Sequence, residues 1–222
     1  MKRWIEIILS VVCLVSGCTK GFFPKDNYNG EYSSGSKPVL NEYTAIVTVK
    51  QESSGQVFLQ LDDATRLYPT RYPELFTREC RIICGLSWWS GSSSCNLQWM
   101  DYLQEGAVQG GPAREGDPVD ILDDWMTSAE DGYLTLHYST FWGDGSVLHT
   151  LKLITGENPE DPYEVRLEHQ SNGDAALEKA DALIYFDLSS LPPTGGNRRK
   201  LTLKWNGSDG ESAKSFLFKS RQ

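Results

Sequence analysis

The chain has 222 residues and a net charge of −9 at pH 7, with 30 acidic and 21 basic side chains. This acidic balance argues against binding to nucleic acid or anionic lipid surfaces, because both require clustered lysine and arginine. Aromatic residues make up 11% of the sequence, which argues against a disordered chain.

Residues 1–17 have the pattern of a bacterial lipoprotein signal peptide. Lys2 and Arg3 precede a short apolar run, and the small pair Ser16-Gly17 stands directly before Cys18. The run is too short to cross a bilayer, which takes about 20 residues. The sequence therefore predicts lipidation of Cys18 and a protein tethered in the cell envelope. The outer membrane is the expected location, with either face open, and the alternative is an ordinary secretory signal with an incidental cysteine.

After the signal, residues 18–40 are rich in glycine, serine, asparagine, lysine and proline, and they predict a flexible tether. From residue 41 the composition changes to short alternating segments separated by turn residues. Strands are predicted at residues 45–50, 56–61, 78–88 and 96–103, with a tight reversal at 61–67. Short strands without a helical period predict a small barrel over residues 41–115.

A run of glycine and proline at residues 110–118 marks the predicted domain boundary, because these residues interrupt both helices and strands. Beyond it, strands are predicted at 133–141, 147–154, 163–169, 182–188, 200–205 and 214–218. Six or seven strands joined by turns predict an antiparallel β-sandwich over residues 116–222. One helical turn is expected at residues 175–180.

Cys80, Cys84 and Cys95 remain after the predicted cleavage, and an odd number does not indicate a disulfide framework. Cys80 and Cys84 alternate with apolar residues, as buried thiols do. A bridge from Cys95 to either of them stays open in an oxidising envelope.

Several short segments together resemble the NigD-like family of bacterial lipoproteins. They are Arg66-Leu67, Arg81-Ile82, and residues 130–136, 149–153, 165–174 and 184–189, in this order. The resemblance implies an OB-type barrel followed by a β-sandwich, in an all-β chain. It also implies an immunity-like role and brings no catalytic residues. The loop from Trp88 to Cys95 departs from the family pattern.

The three histidines, His137, His149 and His169, could in principle bind zinc. However, His149 and His169 alternate with core residues, so we expect them to be buried, whereas His137 falls on the predicted solvent side. No metal site and no cofactor are therefore predicted.

Neither carboxylates nor serines form a recognisable catalytic pattern. The acidic pairs, such as Asp62-Asp63 and Asp123-Asp124, lie in predicted turns, where aspartate caps the backbone or could at most bind calcium. Ser92 has no nucleophile elbow around it. The sequence thus predicts a protein that is not an enzyme.

Tryptophans supply the candidate binding residues Trp88, Trp89 and Trp99, because exposed indoles stack on sugars or anchor protein interfaces. Trp88 also alternates with Leu86 and Cys84, which is the pattern of a core residue. We therefore expect a non-catalytic, lipid-anchored accessory protein that binds a protein partner. The alternative is a carbohydrate-binding lipoprotein that assists glycan capture or uptake.

Overall fold

The computed structural model describes residues 38–61, 65–71, 73–143 and 145–221. The predicted signal peptide, the lipidation site Cys18 and most of the predicted tether lie outside these residues. Among the described residues, no helix is long and apolar enough to cross a membrane.

The first five strands close into a barrel. They are β1 (Leu40–Gln51), β2 (Val57–Gln60), β3 (Arg66–Pro69), β4 (Cys80–Trp89) and β5 (Ser94–Tyr102), and a short 3₁₀ helix (Pro73–Leu75) separates β3 from β4. Their order around the barrel is β1-β2-β3-β5-β4, and β1 closes the ring by pairing with β4. A small closed five-stranded barrel is the predicted OB-like architecture.

The remaining nine strands form one curled sheet. They are β6 (Gln104–Gly110), β7 (Asp120–Ile121), β8 (Ser128–Glu130), β9 (Tyr133–Trp142), β10 (Thr150–Thr155), β11 (Glu164–Gln170), β12 (Glu178–Asp187), β13 (Arg199–Gly207) and β14 (Gly210–Phe218). Most pairs are antiparallel, but β6 runs parallel to both β10 and β12, and β11 runs parallel to β13. The all-β prediction of a small barrel and a β-sandwich is confirmed.

Strand β6 joins the two halves of the curled sheet. Its residues 104–106 pair with β12, whereas residues 107–110 pair with β10. Strand β6 therefore changes its partner strand after Gly106. The two halves of the sheet enclose one apolar core between them. That core includes Leu134, Leu153, Phe186 and Leu203, each 0% exposed.

The structure differs from the predicted elements at several points. The expected reversal is present, because β2 and β3 pair antiparallel, but Arg66 and Leu67 already belong to β3, and β6 was not predicted. The expected helical turn at 175–180 is wrong, because β12 already begins at Glu178. The change from barrel to curled sheet comes after Tyr102, earlier than the predicted division at residues 115–116, and the domain limits stay a prediction.

Candidate functional site

The three candidate tryptophans occupy two different environments. Trp88 is 8% exposed and packs against Tyr43, with ring centroids 5.6 Å apart. It therefore belongs to the barrel core, as its alternation with Leu86 and Cys84 indicates. Trp89 and Trp99 are 54% and 44% exposed, so their indoles face solvent. A binding role for this set stays a prediction, and the geometry leaves it to Trp89 and Trp99.

The outward face of β1, β4 and β5, which we call the barrel wall, carries both exposed indoles. Trp99 pairs with Gly85 across the ladder, and Trp89 pairs with Leu40. A Cβ atom at Gly85 would lie 2.7 Å from Cδ1 of Trp99, so the indole lies across the bare glycine backbone. Glycine at this position leaves the indole the space that a Cβ atom would fill.

The cysteines of the barrel are free and buried, so no bridge joins Cys80, Cys84 and Cys95. Burial raises the pKa of the Cys84 thiol to about 12 and that of Cys95 to about 11. A thiol reacts through its thiolate, so these side chains act as small apolar core groups.

At the junction of barrel and sheet lies Arg81, a charged residue that is 2% exposed. Its Nη1 donates to Thr48 Oγ1 at 3.1 Å and to the carbonyl oxygen of Glu130 at 3.5 Å. The guanidinium lies 5.6 Å from the ring centroid of Tyr133. Burial lowers the pKa of Arg81, and the nearby carboxylates of Glu130 and Asp131 oppose that shift. In the sequence, Arg81 stands out only through the family resemblance, and no local pattern indicates this role.

Tyr133 also links the two parts of the chain through its hydroxyl, which donates to Glu79 Oε1 at 2.5 Å. Arg221 stacks over the same ring at 4.1 Å and pairs with Glu79. On the other side of the junction, Lys50 Nζ lies 2.6 Å from Asp131 Oδ1. These contacts tie β1 and the start of β4 to the turn before β9, so barrel and sheet share a polar as well as an apolar interface.

At one end of the curled sheet, a buried histidine pair connects two loop segments, residues 145–149 and 171–177. His149 Nδ1 lies 3.0 Å from His169 Nε2, and His149 Nε2 lies 3.1 Å from Asp174 Oδ2. Trp142 stacks on His149 with ring centroids 4.1 Å apart. Both histidines are buried, as predicted.

The hydrogen-bond partners fix the roles of the ring nitrogens in this pair. His169 Nδ1 faces the carbonyl oxygen of Asp117 at 3.3 Å, and a carbonyl can only accept. Neutral His169 therefore donates at Nδ1 and accepts at Nε2 from His149. Asp174 in turn accepts from the backbone amides of Gly143 at 2.7 Å and Ala175 at 2.9 Å. These two amides and His149 lower the pKa of Asp174, with the Gly143 amide contributing most.

This arrangement predicts a stability change in mild acid. Burial, and secondarily His149, lower the pKa of His169 below its ordinary value of 6.5. As the pH falls through 6.5, the unfolded chain binds a proton that the folded chain does not, so the free energy of unfolding falls, by at most about 1.4 kcal/mol per pH unit. Urea unfolding of the H169Q variant at pH 7.5 and 5.5 should show a smaller loss than the parent chain. An equal loss in both proteins would contradict this assignment.

His137 corrects a sequence-based expectation, because it is buried rather than exposed to solvent. Its Nδ1 lies 2.6 Å from Asp124 Oδ2 and its Nε2 lies 2.7 Å from Asp181 Oδ2. The reason is that every side chain from Tyr133 to Thr140 is buried, so this stretch of β9 has no solvent side. The imidazole joins the loop before β8 to strand β12.

In the described acidic pairs, acidic side chains form ion pairs with lysine or histidine residues elsewhere in the chain. Asp123 pairs with Lys214, Asp124 with His137 and Asp131 with Lys50. Within the residues that the structure describes, no group of three or more histidine, cysteine or acidic side chains could hold a metal ion.

Three apolar side chains project from the end of the sheet that carries the histidine pair. Leu148 is 82% exposed, Leu177 72% and Phe141 50%. We call this set the loop-tip surface. Two hydrogen bonds join the loops beneath it. Asn172 Nδ2 donates to the carbonyl oxygen of Leu148 at 2.6 Å, and the backbone amide of Leu177 donates to the carbonyl oxygen of Trp142 at 3.0 Å. No sequence pattern predicts this surface, since isolated leucines in loops form none.

Comparison with known proteins places the second half of the chain in a described family. Residues 112–219 match the family model of the NigD-like C-terminal beta sandwich domain. No match was found among curated proteins.

Solved structures share the whole two-part fold. A protein from Parabacteroides distasonis, named provisionally as toxin-related, is 25% identical with a TM-score of 0.69, covering 81% of this chain and 94% of that one. A NigD-like immunity protein from Bacteroides caccae is 19% identical with a TM-score of 0.55, covering 78% and 90%. A protein from Bacteroides fragilis, named provisionally as a lipoprotein, is 14% identical with a TM-score of 0.54, covering 82% and 100%.

Proposed function

Because the chain carries the NigD-like C-terminal domain and so belongs to the NigD-like family, we propose that it is a non-catalytic accessory protein of the cell envelope. It acts by binding another protein, in the manner of an immunity factor. One solved neighbour is named an immunity protein and another provisionally a toxin-related protein, and both names support a role toward a protein partner.

The loop-tip surface is the observation that carries this proposal. Exposed leucines and a phenylalanine at neighbouring strand ends are the kind of apolar anchor that protein interfaces bury. Below them, His149, His169 and Asp174 connect both loops through one buried and two half-buried hydrogen bonds. Loops that are already ordered lose little conformational entropy on binding, which favours affinity. The curled sheet thus presents a pre-organised apolar tip to a partner.

A double substitution tests the surface. The L148S/L177S variant should bind the protein partner about a hundredfold more weakly, because two anchor residues together contribute about that much affinity. The parent chain is first used to capture a partner from envelope extracts, and the identified partner is then purified and titrated against both proteins by calorimetry.

The matched control is L217S, which changes another exposed leucine, on β14 and outside the loop-tip surface. This variant should bind like the parent chain. Equal affinity of the parent and L148S/L177S for the purified partner would reject the loop tips as the binding surface. Loss of binding in L217S alone would place the interface on β14.

We also propose that Cys18 is the membrane attachment point. The support is the signal pattern before this residue and the structural neighbour named provisionally as a lipoprotein. Several acyl chains would hold the protein far more firmly than one, because each buried methylene contributes about 0.8 kcal/mol. The full-length chain should incorporate labelled palmitate and fractionate with membranes, whereas C18S should do neither. Unchanged fractionation of C18S would contradict the anchor.

A further inference from the structure

The barrel wall combines two exposed indoles with a polar row between them. Glu42 pairs with Ser87 across the β1–β4 ladder, and Ser87 pairs with Asn96 across the β4–β5 ladder. Gln98 Nε2 donates to Glu42 Oε1 at 3.3 Å in the same region. The wall is therefore not a continuous apolar patch. Its aromatic surfaces are separated by a carboxylate, two side-chain amides and a hydroxyl.

The two indoles belong to ladder positions that are well separated along β4. Trp99 of β5 covers Gly85 of β4, and Trp89 lies on β4 four residues after Gly85. At about 3.3 Å per strand residue, the separation along β4 is about 13 Å. This is the length of a short oligosaccharide rather than of a monosaccharide.

The placement of the Trp99 indole over Gly85 suits stacking. Nε1, Cδ1 and Cε2 of the indole lie over Gly85, and the residue is still 44% exposed. The negative face of an indole attracts the weakly positive C–H groups on one side of a sugar ring. The polar row then lies where the hydroxyl groups of the intervening sugar would need donors and acceptors.

Charge selects the class of ligand. The outward positions of the wall include the acidic residues Glu42 and Asp101. No paired residue within the ranges Leu40 to Ile46, Ile83 to Trp89 and Asn96 to Asp101 is basic. Nucleic acids and sulfated or uronic acid chains would meet no cation there. The far end of the wall is covered, since Ile46 and Ile83 pack against Tyr133 and Tyr185 of the curled sheet. The free end is the part that carries the indoles.

We propose that the barrel wall is a binding platform for a neutral oligosaccharide, which stacks on Trp99 and Trp89 and hydrogen-bonds to Glu42, Asn96 and Gln98. This site is separate from the loop-tip surface and does not depend on a protein partner. It would give the barrel a ligand of its own.

The test titrates the full-length chain in detergent with cellohexaose, xylohexaose, mannohexaose and laminarihexaose by calorimetry. At least one hexaose should bind, and its disaccharide should bind at least about tenfold more weakly, because it spans one indole only. W89A and W99A should each weaken the hexaose by about tenfold or more. The G85A variant keeps both indoles but lifts Trp99 off the wall, so it should weaken binding as well.

W125A is the matched control, because Trp125 is exposed on the curled sheet and not on the wall. It should bind the hexaose like the parent chain, and so should L148S/L177S. Failure of all four hexaoses to bind, or equal binding by W99A, W89A and the parent, would overturn the proposal. Binding restricted to heparin or polygalacturonate would overturn its neutral ligand class.

Discussion

Replacing Gly106 by alanine is expected to lower the free energy of unfolding by about 3 kcal/mol. A Cβ atom at this position would overlap the ring of Phe186, which is 0% exposed in the core of the curled sheet. Neither neighbour can yield easily, because Gly106 pairs with Phe186 on β12 and the next residue already pairs with β10. Urea unfolding followed by tryptophan fluorescence measures the loss.

Gly110 provides the control for this substitution. It lies at the end of the same strand, and a Cβ atom there would meet nothing within 4 Å. G110A should leave stability unchanged or raise it by about 0.5 kcal/mol, because alanine restricts the unfolded chain. Adding F186L to G106A should recover part of the loss, since the smaller side chain vacates the overlapped space. Equal stability of G106A and G110A would show that the two halves of the sheet are not packed as described.

Replacing Arg81 by alanine is expected to cost about 3–5 kcal/mol. The side chain fills the junction between barrel and sheet, so alanine leaves a cavity and removes the donor to Thr48 and to the Glu130 carbonyl. The R81M variant should lose much less, because methionine fills most of the volume and avoids the cost of burying a charge. Urea unfolding of both variants at pH 7 separates volume from charge.

Arg78 is the matched surface arginine, since its ion pair with Glu105 at 3.2 Å is largely exposed. R78A should change stability by less than about 1 kcal/mol. A loss in R81M as large as that in R81A would mean that the charge, rather than the volume, holds the junction. A loss in R81A no larger than that in R78A would contradict the role of Arg81 altogether.

The alternation of residues predicted most long strands because it is a local property. In β1, Ala45, Val47 and Val49 share one buried face, and the alternation alone shows which residues belong together. The same rule failed for β6, whose side chains are mostly exposed and polar. That strand exists because its backbone bridges two halves of a sheet, and such a partner lies far away in sequence.

The candidate sites also have some features that the sequence predicts and others that depend on pairing between distant strands. The indoles of Trp89 and Trp99 could be named from the sequence, since large aromatics beside a serine-rich loop are conspicuous. The placement of Trp99 over Gly85 depends on pairing between β4 and β5. The loop-tip surface depends on four strand ends that meet only after the sheet curls, so no local sequence pattern predicts it.

The amino-acid order alone determined the all-β class, the two-part layout, the family resemblance and the burial of His149 and His169, because each rests on local alternation or on short motifs. The tertiary structure alone decided that His137 is enclosed by Asp124 and Asp181, that Arg81 lies in the junction, and that two indoles share one wall. Burial on both faces of β9 and pairing between distant strands are set by the curvature of the whole sheet, and a window of neighbouring residues carries no measure of that curvature.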